Sequence, residues 1–318
     1  MHPPAVSLTF SVFNKLKMAV ESCIIGGLPE DCIANALSLT TPKDACRLST
    51  VASTFRSAAQ SDAVWERFLP SDYRDIISRS IDDSDSLLRR FQSRKDLYLH
   101  LSDHPILIDA GLKSFKLEKW SGKKCYMLAA RDLEIVWGDT SQYWQWIPHP
   151  ESRFSEVAEL LDVCWFEIHG YINTKMLSSN TIYAAYLVFT NKSRMYGFDY
   201  HPVEACVGIK GHEMVKRTVC LDPEGAQRRR YQVVPRRRPG SLFNRLWHVQ
   251  RQQDDVAMEG STELLRSRED GWMEVELGEY LVEEGEDDLD MSVMEVKGGN
   301  WKSGLIIQGI EIRPKKCI

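Results

Sequence analysis

The hydrophobic period changes near residue 105, and that change constrains the fold more than any other feature. Before it, apolar residues recur at helical spacing: Leu28, Cys32, Ile33, Ala36 and Leu37, then Ala45, Leu48, Val51, Ala52 and Phe55, then Val64, Trp65, Phe68 and Leu69. After it, short apolar runs alternate with polar residues, as in Cys164-Trp165-Phe166-Glu167-Ile168-His169 and Met273-Glu274-Val275-Glu276-Leu277. Residues three and four apart share a helix face, whereas residues two apart share a strand face. The chain therefore divides into an all-α part and an all-β part, and a length of 318 residues fits about two domains.

In the helical part the punctuation is local. Pro29 with Glu30 and Asp31 opens one helix, placing carboxylates where the macrodipole favours them. Thr41 as N-cap, Pro42 at the first helical position and Asp44 at the third open a second, and Ser61-Asp62 opens another. About forty residues rarely sustain a core alone. So much apolar surface on short helices calls for a partner, or for packing against the rest of the chain.

Leu28-Pro29, Ile33, Leu37, Leu39, Pro42, Ala45, Leu48, Val51, Phe55, Asp62, Val64 and Trp65 together resemble the F-box pattern. The resemblance implies docking onto a Skp-type adaptor, and through it onto a cullin-based ubiquitin ligase. Leu28, Pro29, Ile33, Leu37, Pro42, Leu48, Val51 and Trp65 are the positions implied to carry or shape that contact. Cys32 and Cys46 stand where the family often has larger aliphatics.

Composition bounds the remaining possibilities. The hydrophobic fraction of 43% suffices for a sizeable core, and no apolar run approaches the length of a membrane span. A net charge of −5 points to neither a nucleic-acid nor a membrane partner. Eight scattered cysteines without a CxxC motif read as reduced side chains, which places the expected site of action in the cytoplasm and nucleus. The apolar stretch 6–13 has no basic segment before it, which argues against a secretory signal. His100 and His104 are four apart but lack a third ligand and run into Pro105, so they read as capping or surface residues rather than metal ligands. No phosphate-binding glycine loop, HExxH, GxSxG or kinase set is present, and no cofactor is expected.

From residue 106 onward, strands are expected at 106–109, 114–120, 124–129, 133–137, 164–172, 181–190, 193–200, 203–210, 214–221, 272–277, 291–296 and 305–313, with helical turns at 155–161. Many short strands separated by Gly, Pro, Asn and Asp indicate an antiparallel sandwich or jelly roll. The expected organisation is an N-terminal extension (1–21), the F-box (22–70), a linker with a helix (71–105) and a β-sandwich (106–318), an α+β multidomain chain.

Residues 137–146, WGDTSQYWQW, hold four aromatics around a Gly138-Asp139 turn. Indole and phenol rings combine a flat apolar face with a polar edge, which suits stacking on a sugar ring. The alternative reading makes two of these tryptophans ordinary core. The segments CYMLAARDLEIVWGDTSQYWQW, VCWFEIHGYINTKMLSSNTIYAAYLVF, DGWMEVELGEY and GGNWKSGLIIQGIEIRPK resemble the phloem lectin, or Nictaba-like, domain of plants. That resemblance implies binding of N-acetylglucosamine oligomers or N-glycan cores, with Trp137 and Trp144 matching the aromatic pair and Glu276 and Glu279 as the candidate acidic partners.

A polar insertion at 222–270 carries six arginines between 228 and 238, and 283–290 is an acidic counterweight; both read as solvated loops. The arginine run also fits a nuclear signal or an anion-binding patch. Glu274 and Glu276 share a strand face, but any exposed strand offers such a pair, so a glycosidase is not expected. The expectation is a non-catalytic receptor of a ubiquitin ligase that captures targets through a sugar-binding sandwich. The alternatives are a sandwich that recognises a protein surface, or a stand-alone lectin.

Overall fold

The computed structural model describes residues 28–82, 84–198, 203–222 and 265–315. The N-terminal extension and the arginine run lie outside the described residues. The helical part begins with α1 (Glu30–Ser38), α2 (Pro42–Leu48), α3 (Ser53–Ala58) and α4 (Asp62–Phe68). Thr41 caps α2 as its sequence suggests, its hydroxyl accepting the Asp44 backbone N–H at 3.1 Å. Ile33, Leu37, Phe55, Val64, Trp65 and Phe68 turn their apolar faces together. Trp65 is only 1% exposed; its indole N–H donates to the Ala59 carbonyl at 2.7 Å, and Phe68 meets it edge-on at 5.6 Å.

Residues 71–105 do not stand clear as a spacer. They form α5 (Tyr73–Ser78), α6 (Ser84–Arg90) and α7 (Arg94–Asp103), which pack on both neighbours. The reason lies in α7, whose Leu97, Tyr98 and Leu101 are all buried. The Tyr98 ring lies 5.1 Å from that of Trp65, while its hydroxyl donates to the Lys119 carbonyl in the following β domain at 3.0 Å. In the last turn of the same helix His100 stacks on His104, the residue that follows the helix, at 4.9 Å. One apolar cluster runs from Ile33 in the helices to Ile312 near the end of the chain.

The β domain comprises β1 (Ile106–Ile108), β2 (Lys113–Leu117), β3 (Lys124–Ala129), β4 (Glu134–Ile135), β5 (Trp144–Ile147), β6 (Val157–Leu160), β7 (Phe166–Asn173), β8 (Thr181–Tyr196), β9 (Val203–Ile209), β10 (Lys216–Val219), β11 (Leu265–Ser267), β12 (Met273–Val282), β13 (Asp288–Glu295) and β14 (Ser303–Pro314). A larger sheet runs β1-β2-β3-β14-β8-β12-β11, with β6 also pairing β14 and β5 pairing β6; a smaller one runs β10-β9-β13-β7-β4. Pairing is antiparallel throughout, and neither sheet closes into a barrel. The sheets face each other closely. A methyl group added at Gly170 of β7 would touch Ile310 of β14 and Leu128 of β3 at 3.1 Å each. Within the larger sheet, Gly309 (φ 158°) lets β14 approach β3, because a Cβ there would lie 1.9 Å from the Leu128 carbonyl oxygen.

Several expectations change: β5 is a strand outside those expected, and β11 lies within the 222–270 insertion that read as a loop. Residues 155–161 hold strand β6, not helical turns: Val157, Ala158, Glu159 and Leu160 are all buried, and a short run buried on both faces has no period to read. The separate strands expected at 181–190 and from 193 are one long strand, β8 (Thr181–Tyr196), which adjusts to β14 through register shifts instead of breaking; residues 199–200 of the expected second run lie outside the described residues. The acidic stretch 283–290 is not all loop, since β13 begins at Asp288 and Asp290 is buried.

Candidate adaptor and ligand faces

The eight positions implied to meet an adaptor separate by burial. Leu28, Pro29 and Val51 are exposed and Leu48 is half-buried, whereas Ile33, Leu37, Pro42 and Trp65 are buried within the helices' own core. Leu39 is the most exposed large apolar residue among the described residues of this region at 65%, and the Cys32 and Cys46 thiols are also at the surface. Thus Leu28, Leu39 and Val51 offer apolar surface, and the buried four hold the helices that present it. The β domain reaches this region too: the Lys43 backbone N–H, in the first turn of α2, donates to the carbonyl of Trp120 in the β2–β3 hairpin at 3.4 Å.

The aromatic segment 137–146 leaves β4 through a tight turn, with the Gly138 N–H donating to the Ile135 carbonyl at 2.9 Å. Trp137 takes a left-handed backbone, φ 59°, and is 42% exposed. A bulky residue in that region is costly, by about 1–2 kcal/mol, and such strain is kept where surroundings fix it. Tyr143 packs beside it with ring centroids 5.2 Å apart, and the Trp146 indole N–H donates to the Gly138 carbonyl at 3.1 Å. Arg131 covers the Trp146 ring at 3.7 Å. Trp144, by contrast, is 2% exposed; it packs against Phe166 at 6.4 Å, and its Nε1 has no hydrogen-bond partner among the described residues. The matched pair is therefore one surface ring and one core ring.

Alternation along β7 turns Glu167, His169 and Tyr171 outward and Phe166, Ile168 and Ile172 into the core. Just before the strand, exposed Trp165 donates its indole N–H to Glu167 Oε2 at 2.5 Å. The other carboxylate oxygen, Oε1, lies 3.1 Å from His169 Nε2, and His169 Nδ1 lies 3.0 Å from Asp290 Oδ1 on the neighbouring strand β13. With a carboxylate on each ring nitrogen, the imidazole is held as the cation. The hydrogen bond to Asp290 foremost, with that to Glu167, outweighs burial and pushes its pKa up to about 9. Tyr171 stacks on His169 at 5.9 Å and takes Lys210 against its ring at 4.2 Å. For Glu167, burial works upward, but the Trp165 and His169 hydrogen bonds prevail and hold its carboxyl below the ordinary value.

β4 lies at the edge next to β7, pairing Glu134 with His169 and Ile135 with Ile168, and the Val136 N–H continues the ladder to the Glu167 carbonyl. Trp137, the next residue, thus emerges beside the Trp165–Glu167 end of β7. Glu276 and Glu279 do not join it. They lie on β12, where Glu276 binds Arg217 of β10 at 2.7 Å and accepts the Tyr186 hydroxyl at 3.3 Å, and Glu279 pairs with Lys315. β10 and β4 are the opposite edges of the smaller sheet, four strand spacings or roughly 19 Å apart. The sequence did show the 164–169 alternation that exposes Trp165, Glu167 and His169. Asp290, supplied by strand register across 121 residues, carried no such signal.

Residues 123–314 match the family model for Phloem protein 2, and residues 25–67 match that for the F-box domain. Among relatives from Arabidopsis thaliana, F-box protein PP2-B10 is 44% identical over 308 residues, covering 96% of this chain and 99% of the relative. F-box protein PP2-B1 is 44% identical over 311 residues, covering 91% and 89%, and F-box protein VBF is 43% identical over 294 residues, covering 91% and 99%. The helices, the paired antiparallel sheets and the aromatic turn are thus those of an F-box protein whose β domain belongs to the phloem protein 2 family.

Proposed function

We propose that this chain is the non-catalytic substrate-recognition subunit of a Skp–cullin ubiquitin ligase, acting in the cytoplasm and nucleus. The observation that carries the reading is the exposed apolar set Leu28, Leu39 and Val51 on an F-box whose Ile33, Leu37, Ala45, Phe55, Val64 and Trp65 fill the core. Burying such a patch on an adaptor would offset its exposure to water. Co-expression of the full chain with a Skp-type adaptor, followed by size-exclusion chromatography, tests it. One co-eluting peak is expected, lost in a Leu39→Asp/Val51→Asp double variant. Separate peaks for the unaltered pair would overturn the reading.

At the other end, we propose that the β domain captures targets bearing N-acetylglucosamine oligomers or N-glycan cores, with Trp137 as the stacking ring. Its exposure and its partner Tyr143 support this. Trp144 then acts from beneath the surface, and Glu276 and Glu279 stay in the proposal only as remote contributors. A second reading, recognition of a protein surface, is favoured by the engagement of those two carboxylates with Arg217 and Lys315. A glycan array probed with the full chain and with Trp137→Ala separates the two: sugar signal lost in the variant supports capture of glycans, and silence from both moves the target to proteins.

A further inference from the structure

Trp165 and Glu167 lie outside the aromatic turn, yet they have the properties of a binding position. A carboxylate offers about four lone-pair positions. Glu167 uses two, one for the Trp165 indole N–H and one for His169, and its side chain remains 24% exposed. Paired hydroxyls on a ring are the natural donors for the remaining two. The adjacent indole, 42% exposed, presents an apolar face on which the C–H side of the same ring can stack. Both groups are fixed before any ligand arrives: the indole by its hydrogen bond to Glu167, and Glu167 by His169, which Asp290 holds in turn. Ordering costs on binding are correspondingly small.

We infer that Trp165 and Glu167 form a second position for a polyhydroxylated ring, adjoining that of Trp137 and Tyr143 along the β4–β7 edge, and that Glu167 is the carboxylate which receives the ligand's hydroxyls. This rests on the proposed reading of the β domain as a sugar receptor and supplies it with a carboxylate beside the aromatic turn, which Glu276 and Glu279 on β12 do not. His169 is a positioning residue here: it holds the carboxylate, and the ligand meets Glu167 and Trp165.

Calorimetric titration of the full chain with tri-N-acetylchitotriose and with the methyl glycoside of N-acetylglucosamine tests the assignment. Trp165→Ala is expected to weaken trisaccharide binding at least tenfold and Glu167→Gln several-fold, while Glu276→Gln changes it less than twofold. Trp165→Phe is expected to recover part of the loss, because a ring remains. The Trp165→Ala loss is expected to be smaller for the monosaccharide, which can still sit at Trp137. Trisaccharide affinities like the unaltered chain's in Trp165→Ala and Glu167→Gln, with loss in Trp137→Ala alone, would overturn the second position and leave the sugar reading standing. No heat from the unaltered chain with either probe would remove both. Unchanged thermal midpoints in the variants show that any loss is one of contact and not of folding.

Discussion

Arg79 holds Asp109 with both arms of its guanidinium, Nε at 2.7 Å and Nη2 at 2.6 Å, and the Asp109 N–H donates to the Arg79 carbonyl at 3.1 Å. The first residue follows α5 and the second follows β1, so the clasp joins the helical module to the β domain. Lys124 of β3 and Asp72 join them again at 3.0 Å. Because the apolar core is also shared, the chain is expected to unfold in a single transition, with far-UV circular dichroism and tryptophan fluorescence tracing coincident curves in urea. Arg79→Ala should cost about 1 kcal/mol, the modest value of a partly exposed pair, without separating the curves.

Trp137 should show opposed effects on stability and capture. Glycine occupies the left-handed region without a steric penalty, so Trp137→Gly is expected to leave stability within about 1 kcal/mol of the original. Ligand capture should be lost. A fall of several kcal/mol in a urea titration would show that the ring supports the fold instead.

His169 gives the β7 face a defined pH response. Its folded value of about 9 lies above the ordinary 6.5. A raised value contributes stability that is full below pH 6.5 and fades as pH rises through about 9. The groups facing it are Glu167, Asp290, Tyr171 and, across the β4 pairing, Glu134. His169→Gln is therefore expected to cost on the order of 2 kcal/mol at pH 6 and much less at pH 10. An equal cost at both would refute a charged histidine, and urea midpoints at the two pH values decide it.

Glu311 is expected to be the most costly carboxylate to remove. It is 1% exposed, with Lys116 at 3.2 Å, Arg268 at 2.5 Å and Arg313 at 3.3 Å. Burial pushes its pKa up, but Lys116, Arg268, Arg313 and Arg153 prevail and hold it well below the usual carboxylate range. A depressed value contributes stability above the unfolded pKa near 4.5 and loses it only as pH falls through the lower folded value. Glu311→Leu strands those cations and should cost about 3–5 kcal/mol at pH 7, read from a urea titration.

The change of period at residue 105 carried the two-part architecture, and the Thr41-Pro42-Asp44 start carried α2 residue for residue. Strand β3 was legible to its ends, 124–129. What the sequence could not supply was pairing. Trp144 and Trp137 look alike in a ten-residue string, and only the stacking on Phe166 sends one inward. Glu276 sits in a motif that reads as binding chemistry, but β12 delivers it to Arg217. The partner of His169 arrives through register between β7 and β13, which no local pattern encodes.

The continuous core has a practical consequence for anyone who treats this chain as two interchangeable cassettes. Cutting it at residue 105, or grafting the β domain onto a foreign F-box, would bare Tyr98, Leu101 and Ile108 and orphan the Arg79 clasp. The chimera would then misfold for reasons unrelated to recognition. Diversification of such chains by simple exchange of halves is accordingly disfavoured. If the β4–β7 edge reads the target as proposed, changing side chains there would reach new specificities with the shared core left intact.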